Sequence, residues 1–322
     1  MPSQGLPYWT LVPFPALVVA IAILPVLAPR TWERPVFQGL VVALCALPVL
    51  GYLVGVSELR EVWGTAASYV SFVSTLGALY VTSGGVQLYG EIEAKPSTNV
   101  GLVVLGAALA SVVGSTGASM LLIRPLLWTN RFRERRAHLV PFFIIAVANV
   151  GGLLTPLGDP PLLLGYIAGV PFFWTLRLLP AWVLYVGSAA LALYLIDRRA
   201  YAREAPAVRS RCTDVDFSIG LRGKRNALLL TAVGPAALLP VGLRELAMLA
   251  ITAASVFLTP RSVRQNNGFS FAPIVEVAIL FAGLFACLRP IQLALSQAAP
   301  WLPLHRSWQL FWAAGLCSTV LD

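Results

Sequence analysis

The sequence predicts an all-α integral membrane protein, and three observations predict it. Of the 322 residues, 58% are hydrophobic and only 11% are charged, whereas a soluble domain carries about 25% charged residues. The apolar residues fall in runs near 20 residues long, the length of a helix that crosses the hydrocarbon core. Two runs are interrupted by glycine, serine, threonine and proline. So few charges cannot cover a water-facing surface, so most of the outer surface is expected to face lipid.

The net charge of +9 indicates membrane topology rather than nucleic-acid binding. The basic residues lie in short segments between apolar runs, as in loops that face an anionic cytoplasmic leaflet. The cysteines are widely separated, so we expect no disulfide framework, metal cluster or other cofactor. His138 and His305 lie at the ends of apolar runs, where interfacial residues are expected. Membrane lipid is the partner that this composition predicts, and nucleic acid is not.

Nine apolar runs are predicted to span the membrane. They cover about 10–28, 36–54, 62–88, 138–164, 171–196, 226–240, 243–259, 272–288 and a final run from 308. A further stretch, 99–128, is too short for two spans and is broken between Val113 and Ser119. It is either one span or a re-entrant hairpin that enters and leaves on the same side. Arg124, inside this stretch, is expected to pair with an acid or to extend to the interface.

The positive-inside rule favours the hairpin. With a hairpin, the loops that carry most of the 23 Lys and Arg residues share one side; these loops are 29–35, 89–98, 129–137, 197–225 and 260–271. A single span would move Arg30 and Arg34 to the outside. The N-terminus is therefore expected outside a cytoplasmic inner membrane. The chain then divides into N-terminal helices (1–60), a first repeat (61–196), a cytoplasmic linker (197–225) and a second half (226–322).

Two similar stretches predict an inverted repeat, in which the second hairpin lies on the opposite side. The separation from Gly77 to Ser115 is 38 residues, and that from Gly283 to Ser318 is 35. Ser318, Thr319 and Asp322 are the second-repeat counterparts of the first hairpin tip. The first repeat continues for about 80 residues beyond Ser115, so we expect the second repeat to be incomplete and the chain to be C-terminally truncated.

The run 138–164 is predicted to be a broken helix. Residues up to about Asn149 form its first half, Gly151 to Gly158 form an unwound link, and Asp159 is the N-cap of the second half, with Pro160 at its first position. Unwound carbonyls can coordinate a cation, and free N–H groups at the second half-helix can hold an anionic group.

Oxygen ligands suited to a hard cation such as Na⁺ cluster at these two breaks. They are the hydroxyls of Ser115, Thr116, Ser119 and Thr155, together with the Asn149 amide. Asp159 adds a carboxylate, although it can also serve only as a helix cap. The hydroxyls can instead bond back to helix carbonyls. Glu276 either is solvated at the end of its helix or handles protons.

The STGAS sequence at 115–119, followed by NVGGLLTPLGDPP at 149–161, resembles the ion transporter superfamily. The GDPP motif and the segment from Phe271 to Gly283 are most similar to its citrate transporter and NhaD-like sodium/proton antiporter group. The resemblance implies an inverted-repeat secondary transporter with re-entrant hairpins and broken transmembrane helices, with a homodimer as its plausible assembly. It covers the chain from about residue 8.

The resemblance further implies that hairpin tip and broken helix bind sodium together. It points to Ser115, Thr116, Gly117, Gly151, Gly152, Thr155, Pro156, Gly158 and Asp159. Na⁺ is the expected coupling ion, with Ser115, Thr155 and Asp159 as ligands and with Asp159 and Glu276 as proton-coupling residues. Because Asp159 adds negative charge, we expect cation/proton antiport. Sodium-coupled transport of citrate or another organic anion is the alternative. An arsenite-type exporter or a non-transporting membrane subunit is the third hypothesis. No enzymatic activity is expected.

Overall fold

The computed structural model describes residues 7–55, 59–215, 218–298 and 306–321. Within them the predicted all-α class is confirmed. In chain order the α-helices are α1 (Pro13–Leu27), α2 (Pro29–Trp32), α3 (Pro35–Gly55), α4 (Leu59–Ser83), α5 (Pro96–Val113), α6 (Ser115–Thr129), α7 (Leu139–Phe143), α8 (Pro160–Ile167), α9 (Leu179–Ala202), α10 (Pro206–Thr213), α11 (Lys224–Ala237), α12 (Leu243–Leu258), α13 (Arg261–Asn266), α14 (Ala272–Ala298) and α15 (Ser307–Leu321).

Six helical stretches are long and apolar enough to cross a membrane, by length and composition, in the part of the chain that the structure describes. They are Tyr8–Leu27, Pro35–Gly55, Val62–Ser83, Pro96–Val113, Phe172–Ala202 and Ala272–Ala298. Their apolar side chains are largely exposed: α1 buries only Leu17. A water-facing protein rarely exposes such continuous apolar surface, whereas lipid solvates it. The runs 226–240 and 243–259 form α11 and α12, which have 14 and 16 residues.

One compact unit consists of residues 7–70 and 271–321 within the described ranges. Its core packs α3 against α14 through Val49, Leu53 and Cys287. A Cβ at Gly283 of α14 would lie 2.7 Å from Leu17 and 2.9 Å from Val42. A larger residue at this position would require the Leu17 and Val42 side chains to shift, so glycine favours the close approach of α14. Ser318 and Thr319 belong to α15, but their side chains, and all of Asp322, lie outside the described residues.

The second unit, residues 71–270, contains the predicted hairpin. Helices α5 and α6 are joined by the single residue Gly114, whose φ is +83°. They run antiparallel, because Asn99 near the start of α5 bonds Asn130 just past the end of α6. Midway along, a Cβ on Gly106 would lie 3.1 Å from Leu122 and 2.8 Å from Val147. Two helices therefore meet at a sharp tip between residues 113 and 115.

The broken helix is present, but the break is shorter than predicted. After α7 the chain continues as a π-helix (Ile144–Val150) and a 3-10 helix (Gly151–Leu154). The prediction that Gly151 begins the unwound link was wrong, because the helical path ends only at Thr155, where φ is −139° and ψ is 157°. Pro156 restricts the residue before it to extended conformations. The non-helical link is therefore Thr155 to Asp159, and α8 begins at Pro160, as predicted.

The sequence analysis did not predict two short β-strands in this unit. β1 (Gln87–Glu91) pairs antiparallel with β2 (Ser218–Arg222), with Tyr89 opposite Gly220. The run 62–88 therefore stops being helical at Ser83. Gly90 has a φ of +136°, and a Cβ there would lie 2.0 Å from the Ser218 carbonyl oxygen. The close approach of the two strands requires glycine at that position.

The predicted linker 197–225 is largely ordered. Helix α9 continues to Ala202, α10 follows, and β2 closes the segment. Cys212 on α10 is buried, and its carbonyl accepts a hydrogen bond of 3.0 Å from the Ala94 N–H. Burial raises the pKa of the Cys212 thiol. Polarity predicted a loop here; the segment instead forms helix and strand, with Glu204 and Cys212 buried and most of its basic residues exposed.

Candidate functional site

The hairpin tip touches the broken helix directly. The backbone N–H of Ser115 donates to the Gly158 carbonyl over 2.9 Å. At the neighbouring position, a Cβ on Gly114 would lie 3.2 Å from the Leu157 carbonyl oxygen, and the positive φ there already favours glycine. The two irregular segments that the sequence analysis singled out are therefore adjacent, and a backbone hydrogen bond joins them.

Ser111, in the last turn of α5, organises this contact. Its hydroxyl donates to the Gly151 carbonyl over 2.5 Å and accepts from the Leu154 N–H at 3.3 Å. The Thr155 hydroxyl donates to the Ser111 carbonyl. Ser111 is 3% exposed, so these bonds form away from water. The sequence analysis missed Ser111, which lies in the last turn of α5, just before the tip at Gly114.

Gly152 and Gly158 approach each other more closely than any side chain allows. A Cβ on Gly158 would lie 1.9 Å from the Gly152 carbonyl oxygen, and a Cβ on Gly152 would lie 2.4 Å from that of Gly158. Gly151 is similarly confined, with a Cβ only 2.9 Å from Ala107. These glycines let the chain fold back on itself at the break, which brings Gly158 to the hairpin tip.

The start of α8 offers no free amides to an anion. Pro160 and Pro161 have no N–H group, and the next two amides, of Leu162 and Leu163, both donate to the Asp159 carbonyl over 3.1 Å. The expectation that free N–H groups here can hold an anionic group was therefore wrong, because the prolines remove the donors. Asp159 occupies the N-cap position, but its carboxylate makes no capping hydrogen bond.

Several carbonyls of the break already accept hydrogen bonds. Gly151 accepts from Ser111 and, over 3.2 Å, from the Trp182 indole. Leu154 accepts from Thr175 at 2.9 Å, and Thr155 accepts from the Gly158 N–H at 3.0 Å. A carbonyl oxygen has two lone pairs. Gly151 therefore uses both lone pairs in these bonds. Leu154, Thr155 and Gly158 each accept one such bond, so each carbonyl oxygen keeps a lone pair for a cation.

The other predicted ligands are distributed unequally. Ser115, Thr155 and Asp159 are half-buried, and Pro156 is buried. Thr116 and Asn149 are exposed, and neither takes part in the contacts described above. Gly117 packs against Ser83, with a Cβ position 3.2 Å from the Ser83 Cβ.

Ser119 behaves differently from the other hydroxyl residues of α6. Its hydroxyl oxygen is buried and has no hydrogen-bond partner among the residues that the structure describes. The alternative that Ser119 bonds back to a helix carbonyl is therefore wrong. Ser119 lies one helical turn beyond Ser115, so its hydroxyl remains an oxygen ligand on the same helix as the tip.

A buried polar cluster at the base of the hairpin was not predicted. Asp197 of α9 forms an ion pair with Arg133, and both side chains are fully buried. Asn99 donates to the Asp197 carboxylate over 2.8 Å, and His138 contacts it at 2.9 Å. His138 is therefore not simply interfacial. Since Asn130 also bonds Asn99, the cluster ties both ends of the hairpin to α9.

Glu276 of α14 has one neighbour that the sequence did not suggest. The Gln38 amide nitrogen, on α3, donates to its carboxylate over 3.0 Å. Gln38 is 2% exposed, whereas Glu276 is half-buried. The carboxylate is therefore neither fully solvated nor fully buried.

Replacing Ser111 tests how strongly the tip is joined to the break. In Ser111→Ala the Leu154 N–H and the Gly151 carbonyl lose a buried partner, so we expect the free energy of unfolding to fall by about 1–3 kcal/mol. The measurement is thermal unfolding of the purified protein in detergent. Ser188→Ala is the control, because its exposed hydroxyl bonds only the Tyr185 carbonyl of its own helix. Equal stability of the two variants would contradict the role given to Ser111.

Comparison with known proteins identifies the family. The family described as "Putative citrate transport" matches residues 3–322. No curated protein and no solved structure matches the chain. The apolar helices and the family agree on a multi-pass membrane protein, and the family indicates transport as its activity. The match spans nearly the whole chain, and the protein belongs to this citrate transport family.

Proposed function

We propose that the protein is a secondary active transporter that binds Na⁺ where the hairpin tip meets the break, and that it exchanges Na⁺ for protons. One observation carries the proposal: the start of α8 presents the Asp159 carboxylate and no free amide. Ser115, whose N–H bonds the Gly158 carbonyl, and Thr155 of the same link add hydroxyl oxygens, and carbonyls of the break add more. Hard cations prefer such oxygen ligands, and an anion finds few donors there.

The free-energy cost of placing an acidic side chain within the membrane supports a functional role for Asp159. Acidic residues within membrane spans are expensive and usually serve ion or proton pathways. We therefore assign Asp159 to the cation, with protonation of Asp159 or Glu276 coupling the two fluxes.

Sodium-coupled uptake of citrate or a related organic anion is the second candidate. The description of the family favours it. The same Na⁺ site would serve this activity, and the anion would need donors other than those at the start of α8. The two functions therefore share the cation site and differ in the second species that crosses the membrane.

The membrane arrangement is part of the same proposal. The N-terminus faces outward across the inner membrane, and the α5–α6 hairpin enters and leaves on the cytoplasmic side. This orientation follows from the distribution of Lys and Arg. We further propose a homodimer as the assembly.

Sodium-dependent stability tests the cation site. A ligand that binds only the folded state at 100 times its Kd stabilises that state by about 2.7 kcal/mol. We expect Na⁺, but not choline, to raise the unfolding temperature of the purified protein, and Asp159→Asn to abolish the shift. Asp214→Asn is the control, because Asp214 is exposed in the segment after α10. A full shift in Asp159→Asn would overturn the site.

Transport assays separate the two candidate functions. In everted vesicles with an imposed pH gradient, antiport predicts that added Na⁺ dissipates the gradient, and that Asp159→Asn does not respond. Uptake of labelled citrate that requires Na⁺, without a Na⁺ response of the pH gradient, would decide for the second candidate. A vesicle that shows neither response would contradict both.

A further inference from the structure

A groove of about 570 Å³ lies between the α5–α6 hairpin and the two-stranded ribbon. Its helical wall is formed by Leu102, Leu105, Leu122 and Leu127, and its other wall by β1 and Ile219 of β2. Leu105 and Ile219 are 50% and 58% exposed. The volume falls within the range of about 300–1,000 Å³ that small-molecule sites occupy. The groove is thus large enough for a ligand, and its walls are mainly apolar.

Two arginine side chains, Arg124 and Arg131, line this groove, and a third, Arg222, lies beside it. Arg124 is exposed and makes no hydrogen bond or ion pair with the residues that the structure describes. Arg131 pairs with Glu91 over 2.7 Å, and its guanidinium packs 4.3 Å from the Trp128 ring. Arg222 packs 4.7 Å from the ring of Tyr89, a lining residue. The lining therefore contains two arginines and no acidic residue, with Glu91 pairing Arg131 and Arg222 stacked beside the groove on Tyr89, so the groove carries positive charge.

In the membrane arrangement proposed above, on which this inference rests, the groove crosses the boundary between water and lipid. Its ribbon wall and Arg131 belong to segments that the distribution of basic residues assigns to the cytoplasmic side. Its leucines belong to the hairpin helices. Arg124 lies about one and a half turns before the end of α6 at Thr129, so its long side chain can reach the interface. Trp128, 56% exposed, has the interfacial position that tryptophan prefers.

We propose that this groove is a specific binding site for an anionic phospholipid of the cytoplasmic leaflet. One acyl chain lies along the leucines of the hairpin, and Arg124 donates to the phosphate group. The distribution of charge selects this occupant, because basic pockets on the cytoplasmic side of membrane proteins bind anionic headgroups. A zwitterionic lipid gains less from the excess of arginine. The site is separate from the proposed Na⁺ site, so either can be present without the other.

Native mass spectrometry tests the proposal. The purified chain is released from nanodiscs containing equal amounts of phosphatidylglycerol and phosphatidylcholine, and the lipids retained are counted. We expect phosphatidylglycerol to be retained preferentially. Arg124→Gln should weaken its retention about fivefold, the effect of one basic residue near the surface. Leu105→Trp, which fills the groove from an exposed position, should reduce retention of the same lipid.

Arg198→Gln is the matched control. Arg198 is exposed in the same cytoplasmic region and does not line the groove, so its removal should leave retention unchanged. Equal losses in Arg124→Gln and Arg198→Gln would overturn the proposal in favour of general surface charge. Equal retention of the two lipids, or no effect of Leu105→Trp, would also overturn it. Disulfide cross-linking of two copies through Trp128→Cys would show that the groove is covered by a second chain instead.

Discussion

Substituting Gly158 by alanine is expected to unfold the break. The new Cβ would lie 1.9 Å from the Gly152 carbonyl oxygen, and a backbone atom cannot rotate away as a side chain can. Where side chains can shift to make room for an added methyl group, the free energy of unfolding falls by about 1–3 kcal/mol. Here the backbone itself must separate, and the hydrogen bond from Ser115 to Gly158 is lost with it. We therefore expect a loss of at least about 3 kcal/mol, measured as thermal unfolding in detergent, and no Na⁺-dependent stabilisation.

Gly101→Ala is the control for Gly158→Ala. Gly101 lies within α5 of the same hairpin, and a Cβ there would meet nothing within 4 Å. Alanine has the higher helix propensity, so this variant should be as stable as the unchanged chain or more stable by up to about 1 kcal/mol. If Gly158→Ala unfolded at the same temperature as Gly101→Ala, the close approach of the two backbone segments would be contradicted.

Asp197→Ala is expected to give the second large effect. It leaves the Arg133 guanidinium, whose side chain is fully buried, without its ionic partner. Removing one member of a buried ion pair costs about 3–5 kcal/mol, because the remaining charge is not compensated. Asn99 and His138 lose a partner as well. Thermal unfolding in detergent should show the loss, and limited proteolysis should then cleave near the base of the hairpin.

Two further variants make this result specific. Glu91→Ala removes the exposed partner of Arg131, and exposed pairs contribute about 0–1 kcal/mol, so its stability should change little. In the double variant Arg133→Met with Asp197→Leu, both charges of this pair are removed. Apolar replacement of a buried pair is often neutral or stabilising, so most of the lost stability should return. A double variant as unstable as Asp197→Ala would contradict the ion-pair explanation.

The helical class and the two breaks could be predicted from local properties of the chain. Hydrophobic runs of span length fix which segments are helices in lipid, because the backbone must satisfy its hydrogen bonds within each segment. Glycine at position 114 marks the hairpin tip, because glycine tolerates the positive φ of +83° that the tip has. Pro156 and Pro160 mark the limits of the break because proline constrains the residues beside it. Asp159 as the residue before α8 follows from the same rule.

Contacts between distant segments were decided only by the tertiary structure. Ser111 lies in an apolar helix, and nothing local shows that it bonds Gly151, 40 residues away. Asp197 and Arg133 are 64 residues apart, and their charges suggested a solvated loop until packing placed them together. The pairing of β1 with β2 joins segments more than 120 residues apart in the same way.

The sequence by itself therefore determined that the protein is a helical membrane protein with an irregular hairpin tip and a broken helix. Only the tertiary structure decided that these two segments touch, that Ser111 joins them, and that Asn149 is exposed. The physical reason is that local composition fixes hydrophobicity and backbone conformation, whereas each long-range hydrogen bond depends on which distant groups the packed helices bring together.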